Sequence, residues 1–126
     1  MDDLMQWLTT QLDEDEQTAQ AATPGPWEQG GIGDYGWTVN FSRRNSGVEV
    51  EDGEQGYADA AFIAAHDPAR VLREVEAKRE IVRQADLYLC DSGPGCGYRT
   101  KHGHSVLRLL ALAYADRPGY REEWRP

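Results

Sequence analysis

Between residues 2 and 22 the apolar positions Leu4, Trp7, Leu8, Leu12, Ala19 and Ala22 recur at helical spacing, with most of the carboxylates elsewhere on the wheel. This pattern predicts an amphipathic N-terminal helix. Ala22-Thr23-Pro24-Gly25-Pro26 ends it, because proline disfavours helical geometry in the residue before it and glycine relaxes the backbone. The period then changes: Trp37, Val39 and Phe41 alternate at strand spacing, Asn45-Ser46-Gly47 supplies turn chemistry, and Val48-Glu49-Val50 is a second alternating run. A small antiparallel hairpin or meander is expected, with room for a third strand near Trp27. It should lie on helices, since an isolated hairpin is marginal in water.

The helical period returns at Tyr57 to Ala65 and is broken at His66-Asp67-Pro68. Asp67 is a good N-cap and Pro68 suits the first helical position, where a missing N–H costs little. A long helix should start there with Val71, Leu72, Val75, Val82, Ala85 and Leu89 as its buried stripe, ending near Cys90. Val106, Leu107, Leu109, Leu110, Leu112 and Ala113 mark a second helix, expected to pack antiparallel to the first. In the remaining segment Tyr120 and Trp124 share one face if it is helical, which favours a docked tail over a frayed one.

These elements make an α+β protein: an N-terminal amphipathic helix, a small antiparallel hairpin or meander, and a C-terminal antiparallel helix pair joined by a Cys/His loop. A single domain over 1–126 is expected, divided into an acidic helix (1–22), a small sheet (27–56), helices with the Cys/His loop at 90–104 (57–115) and a tail (116–126). The hydrophobic fraction of 40% indicates folding, and the mean hydropathy of -0.70 indicates a heavily polar surface. No run of about 20 apolar residues is present to span a bilayer. The opening, MDDLMQWLTTQLDEDEQ, lacks the basic-then-apolar layout of a signal peptide, so a cytoplasmic protein without membrane association is expected.

Charge is distributed unevenly. Residues 1–65 hold 13 acidic and 2 basic side chains, and residues 66–126 hold 9 acidic and 11 basic. A field of this sign repels phosphate, so direct nucleic-acid binding is not expected of the front half. It suits a basic protein surface instead, and Asp13, Glu14, Asp15 and Glu16 are the candidate partner-binding residues. The plainer account is a solvated face that keeps the protein soluble.

The segment Cys90 to His104, CDSGPGCGYRTKHGH, contains both cysteines and two of the three histidines. Structural zinc takes four thiolate or imidazole ligands, and Cys90, Cys96, His102 and His104 supply that number, with glycines to let the backbone wrap tightly. The spacing departs from common zinc fingers, and His-x-His ligation is easiest from an extended backbone. A polar glycine-rich turn with part-buried thiols is the alternative, as is a disulfide between cysteines that a reducing compartment would leave as thiols or metal ligands. A catalytic metal would need a nearby general base, and Asp91 is the loop's one carboxylate.

Other residues carry less. His66-Asp67 fits capping better than acid/base chemistry, Ser105 lacks a nucleophile elbow, and Gln29-Gly30-Gly31-Ile32-Gly33 lacks the lysine of a phosphate loop. The stretches Asp59-Ala60-Ala61-Phe62-Ile63-Ala64, HDPARVLREVEAKR from His66 and LRLLALAYADRPGYREEW from Leu107, together with Thr23-Pro24-Gly25-Pro26-Trp27, resemble an uncharacterised family of small actinobacterial and actinophage proteins. The resemblance implies a bacterial or phage context without an established activity. Members of that family often carry Cys where this chain has His104, a substitution compatible with zinc ligation.

With no catalytic spacing in view, the expected function is that of a small accessory or regulatory protein acting through protein–protein binding, stabilised by structural zinc if the site forms. Two alternatives stand beside it: an acidic nucleic-acid mimic that inhibits a DNA-binding enzyme, and a small metal-dependent enzyme.

Overall fold

Leu4, Leu8 and Leu12 recur every fourth residue, so a helix stacks them on one side, and all three are buried. They belong to α1 (Asp2–Ala21). The computed structural model describes residues 2–90 and 92–126. It forms two compact units, Met1–Glu14 with Val75–Pro126 and Asp15–Glu74, the division falling within α1 and within α3 (Pro68–Tyr88). Among the described residues there are also α2 (Glu54–Ala65), α4 (Cys96–Leu112), the strands β1 (Glu28–Ile32), β2 (Trp37–Asn40) and β3 (Gly47–Glu49), and a 3-10 turn at Glu122–Trp124.

In the 15–74 unit the strands form an antiparallel meander in the order β1-β2-β3. Val39 pairs with Gln29 on one side and Val48 on the other, and the β1–β2 register shifts between Gln29 and Ile32, where Gly30 and Gly31 interrupt the alternation. Asn45 takes a left-handed conformation in the β2–β3 turn, which asparagine tolerates better than most residues. The inward face is apolar: Val39 is fully buried, and α2, which buries Gly56 and Ala60, packs on β1 and β2. The third strand expected near Trp27 is β1.

The cap expected at Asp67 forms and does more than cap. Oδ1 accepts the amide of Arg70 in the first turn of α3 at 2.9 Å, while Oδ2 accepts the amide of Trp27, 40 residues earlier, at 2.9 Å. Gly25 lies so close that a Cβ there would stand 2.6 Å from Asp67 Oδ2 and 2.8 Å from Ala69 Cβ, so only glycine fits without displacement. Trp27 is fixed further by donating Nε1–H to the Thr23 carbonyl and by stacking on Phe41 at 4.1 Å. Burial pushes the Asp67 carboxyl up, but the amide hydrogen bonds from Arg70 and Trp27 and the charge of Arg73 outweigh it and hold the group below its ordinary 3.8.

In the other unit the core comprises Leu4, Leu8 and Leu12 of α1, Val75, Val82 and Ala85 of α3, Leu107 and Ala111 of α4, and Tyr114 and Trp124. The α3 and α4 backbones meet at Gly103, where a Cβ would lie 2.8 Å from the Ala85 carbonyl oxygen. The tail docks as expected, and its dock includes α1: Trp7 touches Tyr120 at 5.6 Å and Trp124 at 5.4 Å, and its Nε1–H donates to the Pro118 carbonyl at 3.0 Å. The one clear departure is α4. It begins at Cys96, ten residues before the expected apolar run, so the Cys/His loop of 90–104 reduces to the residues before Cys96. Gly93 and Gly95 take positive φ to turn the chain. Thr100 then bonds both backbone groups of Cys90, accepting from its amide and donating to its carbonyl.

Two outcomes follow. Asp67→Ala removes an N-cap and leaves the Trp27 amide without its acceptor, so urea unfolding should show a loss of about 2 kcal/mol. Because the folded carboxyl titrates lower than the unfolded one, the wild-type excess should be present above the unfolded value near 3.8 and vanish as pH falls through the lower folded value. Trp124→Ala should cost about 3 kcal/mol in the same assay, since it removes a buried aromatic from the Trp7 contact; an unchanged midpoint would mean that the tail contributes nothing to stability.

Candidate functional site

Of the four residues expected to bind zinc, two meet. The Cys90 and Cys96 sulfur atoms stand at disulfide distance, their Cα atoms 5.7 Å apart, because the Gly93-Pro94-Gly95 turn folds the chain back on itself. The histidines go elsewhere. Two residues apart on a helix, side chains diverge by roughly 200°. His102 packs edge-on against Tyr88 at 5.4 Å, while His104 lines a different recess with Ser105 and Arg108. Burial is the largest cause holding the His104 imidazole below its ordinary value, and the charge of the nearby Arg108 acts in the same direction. Among the described residues no three His, Cys, Asp or Glu side chains form a group able to hold a metal ion. The helical start of α4 is the physical reason, and Asp91 lies outside the described residues.

The acidic quartet on α1 is also divided. Asp13 pairs with Arg79 at 2.8 Å, and Asp3 near the helix start pairs with Arg121 at 3.2 Å. Glu14 is exposed, whereas Asp15 and Glu16 are half-buried. Folding thus brings Asp13 and Asp3 of the first helix beside Arg79 and Arg121, more than 60 residues further along the chain. The unit containing them has 11 acidic and 9 basic residues, against 11 acidic and 4 basic in the 15–74 unit. The acidic excess resides mainly with the sheet and α2.

That second unit holds a recess of about 370 Å³ lined by Trp37, Asp52, Gly53, Glu54 and Tyr57. Trp37 comes from β2, where strand alternation aims it at α2, and Tyr57 from the first turns of α2. Their rings meet edge to face at 4.9 Å. Tyr57 is 53% exposed, and Asp52 and Glu54 are exposed at the mouth. The Trp37 Nε1–H is buried without an acceptor among the described residues. Two aromatic rings beside two carboxylates form a surface suited to a cationic group, since ring faces and anions both attract positive charge. The strand period marks Trp37 and the charge count marks an acidic front half, but separately; the signal that could have joined them is the position of Tyr57 one helical turn from Glu54.

Among the described residues no helix is long and apolar enough to cross a membrane. Comparison with curated proteins and with solved structures returns no match. Over residues 1–126 the chain matches the family of unknown function DUF6221, and it belongs to that family.

Proposed function

We propose that the protein is a small accessory protein that works by binding another protein, and that its acidic 15–74 unit receives a basic partner surface. The observation that carries this reading is the Trp37–Tyr57 recess with Asp52 and Glu54 at its mouth. A lysine or arginine side chain of the partner would enter beside the rings, with the carboxylates steering its approach. The charge excess of this unit supports the reading, because a field of one sign accelerates encounter with an oppositely charged surface. Tyrosine and tryptophan are also the residue types that most often dominate binding energy at interfaces. The α1 acids Asp13, Glu14, Asp15 and Glu16 form a second candidate contact, weakened as an interface by the Asp13–Arg79 pair.

The test is affinity capture from cells of the native host, with the bait immobilised and the bound proteins identified by mass spectrometry. Wild-type bait should retain a basic protein whose recovery falls at least tenfold with Asp52→Asn/Glu54→Gln or with Tyr57→Ala, while circular dichroism stays unchanged. Recovery should also decline as salt rises, since exposed charges act through a screened field. Recovery equal to wild type in both variants would overturn the reading, as would a loss confined to the neutralised α1 quartet, which would move the interface to α1.

A further inference from the structure

Helix α4 is chemically unlike the rest of this acidic chain. Its 17 residues, CGYRTKHGHSVLRLLAL, contain no Asp or Glu, and its first four turns carry Arg99, Lys101, His102, His104 and Arg108. Thr100, Lys101, His104, Ser105 and Arg108 recur at steps of one, three and four, so they occupy one flank of the helix. Together with Gly97 and Pro126 they line a recess of about 510 Å³, within the size range of small-molecule sites. Its polar lining is rich in hydrogen-bond donors: an ammonium, a guanidinium, an imidazole and two hydroxyls, with no carboxylate side chain among them.

Arg108 makes the flank more than a basic patch. Arg79, Arg83, Arg99 and Arg121 of the same unit each donate to a carboxylate or a backbone carbonyl. The Nε–H of Arg108 is buried and has no acceptor among the described residues. A buried donor left unmet costs free energy that an incoming acceptor would recover, and for a guanidinium the best acceptors are oxyanions. Thr100 is partly committed to Cys90, which leaves Lys101, His104, Ser105 and Arg108 as the groups free to face a ligand.

We propose that this recess binds the phosphate group of a small phosphorylated molecule. Phosphate is favoured over a carboxylate because its tetrahedral terminal oxygens can engage several donors arriving from different directions, and because its greater charge suits a site whose lining side chains supply two permanent cations. The role of each residue follows from its chemistry. Arg108 donates from a partly buried, directionally fixed fork; Lys101 supplies an exposed, mobile positive charge at the rim; and Ser105 and His104 each add a neutral donor.

Titration of the full chain with inorganic phosphate and with glycerol 3-phosphate, followed by amide and arginine Nε–H shifts in two-dimensional NMR, tests the site. Saturable shifts are expected at Ser105 and Arg108 with both probes, and affinity at least tenfold lower for acetate at matched ionic strength. Arg108→Gln and, separately, the exposed substitution Lys101→Gln should each weaken glycerol 3-phosphate binding at least fivefold. Arg83→Gln, which alters an ion pair on α3, should leave it unchanged. Shifts that do not saturate, equal response to acetate, rejection of the ester, or undiminished binding by folded Lys101→Gln would overturn the proposal.

Discussion

A single buried carboxylate orders the unit that contains the sheet. Asp67 begins α3 by accepting the Arg70 amide, and with its other oxygen it fixes the loop carrying Trp27. A chain of contacts in that unit starts at this junction. Trp27, once placed, stacks on Phe41 at the end of β2, and Ser42 beside it donates to the Pro24 carbonyl. The strand so held presents Val39 to the core and Trp37 to Tyr57 of α2. A polar group can serve this purpose inside a small unit only if each buried lone pair is met, and the amide donors here outweigh the cost of burial.

The charge pattern changes meaning when the chain folds. Along the sequence the first half is strongly acidic and the second slightly basic. In the structure the start of α1 lies with the C-terminal helices, where Arg79 and Arg121 reach Asp13 and Asp3. What remains is an acidic 15–74 unit with an aromatic recess, and a nearly balanced unit that carries one helix without acids. These surfaces suit opposite partners: carboxylates beside aromatic rings recognise cations, whereas lysine, arginine and hydroxyl donors recognise oxyanions.

Much of this fold was legible from local chemistry. Period 3.6 located α1 and α3, period 2 located β2 and β3, and the Asp67-Pro68 pair located a helix start that the structure places at the same residue. Tyr120 and Trp124 correctly signalled a docked tail, although their contact with Trp7 joins residues more than 110 positions apart and could not be read from spacing. The start of α4 was hidden for a different reason. Cys96 to Ser105 is polar and contains two glycines, so neither propensity nor periodicity marks it as helix. Its helical state rests on tertiary contacts: the approach of Gly103 to the Ala85 carbonyl and the bonds between Thr100 and Cys90. Once helical, the segment sends His102 and His104 to different sides, His102 against Tyr88 and His104 into the recess with Arg108.

The loop, the helix start and the placement of the sheet share one group, the charged carboxylate of Asp67. Following the backbone amide protons of Trp27 and Arg70 by NMR through an acid titration measures it directly. Both resonances should move with one common midpoint, below the ordinary aspartate value of 3.8. Separate midpoints for the two amides, or a common midpoint at or above that value, would contradict a shared, charge-retaining carboxylate.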